Sequence, residues 1–334
     1  MTEIERFLNA ILLKQVDRVP VASVTQTGTI ELMKTTGAFW PDAHRDPEKM
    51  ATLAAAIHDI AGFESIRVPF GIHAEAEALG CRVNYYEGSY DRTPYVEAPI
   101  DETAINRKAD PRSSKSTGAV IDAVRLLKSR YPETPIVAGV LAPFTLTGHI
   151  RSVAKLMREL IKSPEDVKKT MDYTSEFISS YIAALEDGGA DVIALVEPTA
   201  TGENLGPVLF EKFASPHLER IVRGCSRPTI LHICGNSTTI IPIMVRTGVK
   251  GISIDHKVSV SKAKELVANK ASVIGNINPV DIMMKKKEDV QNAALSVMAE
   301  GTDVVAPGCG LAPRTPTINL KAIAAVVKSN EKDR

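Results

Sequence analysis

The 334-residue chain has no excess of charge: 40 Lys and Arg balance 40 Asp and Glu, and no long basic block occurs. A nucleic acid or an anionic membrane surface is therefore a poor partner, and a small molecule or another protein a better one. No uninterrupted apolar run approaches roughly 18 residues, so nothing reads as a membrane span. The N-terminus, Met1-Thr-Glu-Ile-Glu-Arg-Phe-Leu8, is acidic and amphipathic, where a secretory leader is basic and then apolar. Cysteine is scarce as well: Cys81, Cys225, Cys234 and Cys309 are too few and too scattered for a disulfide framework. The expected compartment is the cytoplasm, where thiolates persist as metal ligands.

What is present is an alternation of strand-like and helix-like segments. Helical spacing in Glu3–Lys14 points to an outer helix, followed by a strand at Arg18–Val24 and a helix from Pro47 to Ile60 with Asp46 as its N-cap. A second strand spans Glu64–Phe70. Residues 81–100 read as a β-hairpin excursion, and Asp101–Ser116 as a polar loop. Further strands are expected at Pro135–Leu141, Ala190–Val196, Thr229–Cys234, Val249–Ile254, Ser272–Gly275 and Asp303–Ala306, each followed by a helix. Eight such units imply parallel strands with helical crossovers.

The expectation is an α/β fold, a (β/α)8 TIM barrel with an N-terminal helical extension and the hairpin after strand two. It would form a single domain over residues 1–334, with N-terminal helices to about 17 and the barrel over about 18–330. The rival doubly wound sheet would carry Gly-x-Gly-x-x-Gly after its first strand, and nothing there matches.

Functional groups in such a barrel gather at the carboxyl ends of the strands. Glu197, His232, Cys234, Asp255, Asn276 and Cys309 all fall there. His232 and Cys234 sit two apart in a strand-like run, so their side chains leave one face as a chelating pair. With Cys309 they give two thiolates and one imidazole, leaving one position of a tetrahedral zinc open, as catalytic sites do. The plainer alternative is a chance His-x-Cys and a buried cysteine serving as a small apolar filler. Cys81 and Cys225 have no ligand neighbour at a useful spacing and read as inert. Lys285-Lys-Lys-Glu-Asp289 reads as a solvated helix start.

Several stretches resemble one family. These are Val24-Thr-Gln-Thr-Gly-Thr-Ile-Glu-Leu-Met33 with Trp40-Pro-Asp-Ala-His44, Ala142-Pro-Phe-Thr-Leu146, Thr229-Ile-Leu231 leading into His232-Ile-Cys-Gly235, Gly275-Asn276, and Ala306-Pro-Gly-Cys-Gly310 with Thr315-Pro316. Over nearly its whole length the chain is similar to the uroporphyrinogen-decarboxylase-like barrels, and within them to the methylcobamide:coenzyme M methyltransferases of methanogenic archaea.

The resemblance implies that His232, Cys234 and Cys309 are zinc ligands. It also implies that the thiol of coenzyme M takes a methyl group from a methylated corrinoid, normally carried on a corrinoid protein, to give methyl-coenzyme M in methanogenesis. At the end of strand four the chain has Glu197-Pro198 where those relatives have Asp-Pro.

Glu197 and Asp255 are the candidate catalytic acids, as a zinc ligand before substrate enters or as a partner orienting His232. Either could equally cap the next helix or pair with a base. Asn276 is a candidate to bind a ligand, against an ordinary turn role. Arg67 is the candidate cation for the sulfonate, against a structural ion pair. His73 and His149 read as solvent-facing or satisfied. Two other activities remain open: methyl transfer to homocysteine in the manner of cobalamin-independent methionine synthase, and metal-free decarboxylation of tetrapyrrole acetates. The latter would need arginines after Val24, where the chain is neutral.

Overall fold

The computed structural model describes residues 1–100 and 109–330. In chain order its strands are β1 (Ile66–Val68), β2 (Arg82–Asn84), β3 (Tyr95–Ala98), β4 (Ile136–Leu141), β5 (Val192–Val196), β6 (Thr229–Ile233), β7 (Gly251–Ile254) and β8 (Ser272–Ile274). One parallel sheet has the order β1-β4-β5-β6-β7-β8, and β2 pairs with β3 as a separate antiparallel hairpin. Helices such as Lys115–Arg130 and Pro164–Asp187 supply the crossovers between parallel strands. Part of the polar loop expected at 101–116 lies outside the described residues; its described end enters the helix at Lys115.

Two of the eight expected strands do not form as regular strands. Arg18–Val24 and Asp303–Ala306 are held by isolated parallel bridges, Val21 to Val305 and Val304 to Ile274. Backbone bonds nonetheless continue the ring. Val305 N–H donates to Pro20 O and Ala22 N–H to Val305 O, both at 3.0 Å, while Glu64 N–H donates to Val21 O at 2.7 Å. Pro20 and Pro307 have no N–H to give a ladder, which keeps both segments short. The architecture is a (β/α)8 barrel whose first and last strands are irregular.

Strand alternation sorts the side chains into two cores. Ile136, Ala138, Ile193, Leu195, Leu231 and Ile233 belong to the layer packed under the helices. Val137, Val192, Ala194, Ile230, Ile274 and Val304 point into the barrel. The helix Glu3–Ile11 closes the floor: Phe7, Ala10 and Ile11 join that inner cluster, and Thr2 and Glu5 cap the helix reciprocally. The apolar lower barrel leaves the carboxyl ends of the strands as the place for polar chemistry.

The floor is pinned by a buried charge cluster. Glu64, fully buried, accepts from Arg6 Nη1 at 2.7 Å and from both terminal nitrogens of Arg18 at 2.7 Å. Arg6 also reaches Asp17 at 2.6 Å. Removing the carboxylate leaves two arginines facing each other in a largely dry site. Glu64→Ala is expected to lower unfolding free energy by about 3–5 kcal/mol, read from urea denaturation. A loss below about 1 kcal/mol, the scale of a surface pair, would show that the cluster holds nothing together.

Candidate metal centre

His232 is the fourth residue of β6, opposite Val196 of β5 and Ser253 of β7 in register. Its neighbours Leu231 and Ile233 face the helices, so the imidazole turns into the barrel, where it is 1 % exposed. Nδ1 lies 3.0 Å from Ser253 Oγ. With Nδ1 donating to that hydroxyl, Nε2 presents its lone pair toward Cys234 Sγ, 3.3 Å away.

Cys234 is the first residue beyond the strand. The chain turns there because Gly235 takes a left-handed φ of 73° and donates its N–H to Asp255 Oδ2 at 3.0 Å. Cys309 arrives from the other side of the ring, after Gly308, where a Cβ would stand 2.8 Å from His256 N. The two sulfurs end 3.4 Å apart, well beyond a disulfide's about 2.0 Å.

Among the described residues, these three form a group whose ligand atoms all lie within 4.8 Å of one another. A tetrahedron with 2.3 Å zinc–sulfur bonds has edges of about 3.8 Å between sulfurs and slightly less between nitrogen and sulfur. The observed 3.4 and 3.3 Å lie a few tenths of an ångström inside that figure. The donor set fits zinc in both geometry and softness.

Protons respond to the crowding. Cys309 is pulled well below the usual thiol range because the Cys234 thiol donates to it, with His232 adding to the effect against burial. Cys234 is pushed far up, because a second negative sulfur beside the first, in a buried site, is unfavourable. One thiolate forms readily here, and the second needs a cation.

The remaining candidates are dispersed. Glu197 is fully buried, but its carboxylate accepts from Phe144 N at 3.0 Å, Thr145 N at 2.7 Å and the Thr145 hydroxyl. It caps the helix Pro143–Arg151 and does not orient His232. Burial pushes it up to about 7 while those donors pull it back. Asp255 also leaves the imidazole alone: it accepts from Gly235 N and Lys257 N, both at 3.0 Å, and pairs with His256 at 2.9 Å. Its work is to fix the turn that presents Cys234. Asn276 spends its amide nitrogen on Asp255 O at 2.9 Å and Val258 O at 2.6 Å, tying two rim loops together.

The residue that orients His232 is Ser253, which sequence reading passed over. Its signal was available: it is the inward-facing polar residue two places before Asp255, level with the histidine.

Arg67 points into the barrel. It is 2 % exposed, and Gly139 leaves it room, since a Cβ there would overlap the guanidinium. Nη1 bonds Pro69 O, but Nε has no protein partner. Burial pulls its pKa down to about 10, and Glu75, Tyr181 and Cys309 oppose that shift. Arg67 joins Thr25, Gln26, Phe70 and the triad in lining a cavity of about 260 Å³. Cys81 and Cys225 lie outside it, both pushed up to about 12 by burial and so kept protonated.

His73 is neither solvent-facing nor satisfied. It is 1 % exposed, packs 5.3 Å from the equally buried His44, and neither ring has a protein partner at either nitrogen. His149 Nδ1 is likewise unpartnered. Burial holds His73 down at about 3 and His149 at about 4, against about 6.5 in an unfolded chain. Their contribution to stability is complete above pH 6.5 and lost as pH falls toward 4 and 3. Wild-type unfolding free energy is therefore expected to drop between pH 6.5 and 4. His73→Leu should lessen that slope by up to about 1.4 kcal/mol per pH unit; an unchanged slope would remove His73 from the account.

The uroporphyrinogen decarboxylase (URO-D) family profile matches residues 2–330. Methylcobamide:CoM methyltransferase MtbA of Methanosarcina acetivorans is 38 % identical over 333 residues, covering 97 % of each chain. Methylcobamide:CoM methyltransferase MtaA of Methanosarcina barkeri is 35 % identical over 326 residues, covering 96 % of each. A solved methyltransferase from Methanosarcina mazei superposes with a TM-score of 0.95 at 35 % identity, covering 98 % of this chain and 99 % of that one. The chain therefore belongs to the uroporphyrinogen decarboxylase family and, within it, to the methylcobamide:CoM methyltransferases.

Proposed function

We propose that this barrel, acting as a single cytoplasmic domain, transfers a methyl group from a methylated corrinoid to the thiol of coenzyme M, supplying methyl-coenzyme M to methanogenesis. The observation that carries the reading is the convergence of His232, Cys234 and Cys309 on the lining of one small cavity, in a chain whose relatives are named for this reaction. A zinc ion held by the three would act as a Lewis acid that keeps an incoming thiol as its thiolate at neutral pH.

The protein's own groups set up the rest. Ser253 fixes the His232 ring so that Nε2 faces inward. Asp255 holds the Gly235 turn, and with it the Cys234 sulfur. Two cysteine thiolates and a neutral imidazole offset a divalent charge, so an added substrate thiolate brings a net negative charge into the cavity. Arg67, a buried cation that lines the same cavity, offsets that charge and takes the sulfonate of coenzyme M. The substrate sulfur then attacks the methyl carbon in line as the carbon–cobalt bond breaks. The bonding pair leaves with cobalt, which passes from Co(III) to Co(I).

Thr25 and Gln26 line the wall where a tetrapyrrole decarboxylase would need cations, and both are neutral. Methyl transfer from free methylcobalamin, assayed separately with coenzyme M and homocysteine, tests the reading. Turnover with coenzyme M, lost on chelation and restored by zinc, is expected. Turnover with homocysteine alone would replace the substrate, and none with either would end the proposal. His232→Ala should abolish transfer with the melting temperature unchanged, and Cys309→Ser should lose bound zinc. Ser253→Ala, which keeps all three ligands, should weaken zinc binding about 10–100-fold in a chelator competition; an unaltered affinity would deny it the orienting role.

A further inference from the structure

Cys234 and Cys309 are both free, and their sulfurs stand 3.4 Å apart. A disulfide bond is about 2.0 Å long, so each sulfur has to advance by roughly 0.7 Å if the movement is shared. Neither cysteine is held inside a ladder. Cys234 is the first residue past β6, Cys309 lies in the rim loop after Pro307, and each is followed by a glycine, Gly235 or Gly310. Rotation about the two χ1 angles with a small shift of these turns closes the gap.

The two sulfurs are unequally placed. Cys234 lines the cavity of about 260 Å³ over the triad, whereas Cys309 lines that cavity and also a groove of about 630 Å³ beside the β2–β3 hairpin. A reagent arriving through the groove meets Cys309 first, with Cys234 waiting behind it. The other two thiols point elsewhere: Cys81 toward His149 O at 3.8 Å and Cys225 toward Ile221 O at 3.2 Å.

We infer that Cys234 and Cys309 close a reversible disulfide, with a low-molecular-weight disulfide as the oxidant, and that this bridge and a bound zinc exclude each other. The Cys309 thiolate attacks one sulfur of the small disulfide, whose S–S bond breaks with the electron pair leaving on the first small thiolate. Cys234 gives up its proton and attacks the Cys309 sulfur of the mixed disulfide, and the second small thiol departs with that proton. The two cysteines together lose two electrons and the small disulfide gains them. His232 is then the last of the three ligands, too few for a tetrahedral site. The bridge also spares both sulfurs from the sulfinic and sulfonic states that thiols do not reverse. The inference rests on the triad as metal centre and extends it to what governs its occupancy.

The test exposes metal-free and zinc-loaded protein, side by side, to excess hydroxyethyl disulfide. The metal-free protein should fall from four titratable thiols to two under denaturing conditions, with a peptide map joining Cys234 to Cys309 and leaving Cys81 and Cys225 free. The zinc-loaded protein should follow at least about tenfold more slowly, because coordination and attack use the same sulfur electrons. Oxidised protein should fail to take up zinc, and dithiothreitol should restore both the thiols and the uptake. Cys234→Ser should stop at a mixed disulfide on Cys309, one adduct by intact mass, and Cys309→Ser should react at least about tenfold more slowly than that. Four surviving thiols in the metal-free protein overturn the inference, as does a bridge to Cys81 or Cys225, or a bridge that leaves zinc uptake intact. Thiols that survive in a protein able to methylate coenzyme M leave the methyl-transfer reading standing alone. A bridge that forms and expels zinc in a protein without transfer upholds the inference and overturns the assigned reaction.

Discussion

Two sulfur atoms 3.4 Å apart in a largely dry site cannot both be anions unless a positive charge sits among them. That constraint organises the upper half of this barrel. Cys309 ionises by taking a hydrogen bond from Cys234, and the same closeness holds the Cys234 proton in place. The imidazole of His232 contributes a third donor whose direction is set by Ser253. Arg67 puts a permanent cation on the same cavity wall, in a space that Gly139 vacates.

The fold delivers these groups by strand parity. Val196, His232 and Ser253 are level across three parallel strands, so one register places the imidazole and its orienting hydroxyl side by side. A one-residue slip in β6 would send His232 into the helix layer and Leu231 into the cavity. Cys234 and Cys309 are set instead by turns, one stabilised by Asp255 and the other by the close approach of Gly308 to the neighbouring loop. Rigid strands therefore fix the nitrogen, and the rim loops fix the two sulfurs.

Much of this was legible in the residues. The alternation of segments implied parallel strands and a barrel, and the His-x-Cys pair with the distant Cys309 marked the cluster that the fold assembles. Besides Ser253, three features escaped for identifiable reasons. Arg18–Val24 and Asp303–Ala306 read as ordinary strands because their apolar residues are buried. Nothing in burial reveals how much ladder remains beside Pro20 and Pro307. Glu197 stands where a catalytic acid would, and only the position of the Phe144 and Thr145 amides shows that a helix N-terminus claims it. His44 and His73 come from separate segments with no common spacing, so their meeting in the interior has no linear signature.

The plugged floor has a kinetic meaning. Phe7, Ala10 and Ile11 fill the barrel from below, and Glu64 with its two arginines locks that stopper in place. Among the described residues, the cavity over the triad adjoins the groove beside the hairpin, with Gln26, Thr93, Cys309 and Gly310 lining both. If a flat macrocycle covers that groove, a small thiol still outside is shut out and one already inside is trapped. The acceptor must then enter before the donor docks, and the methylated product must wait for the donor's departure. On the methyl-transfer reading, a barrel stopped at its base would give its two substrates an order of entry.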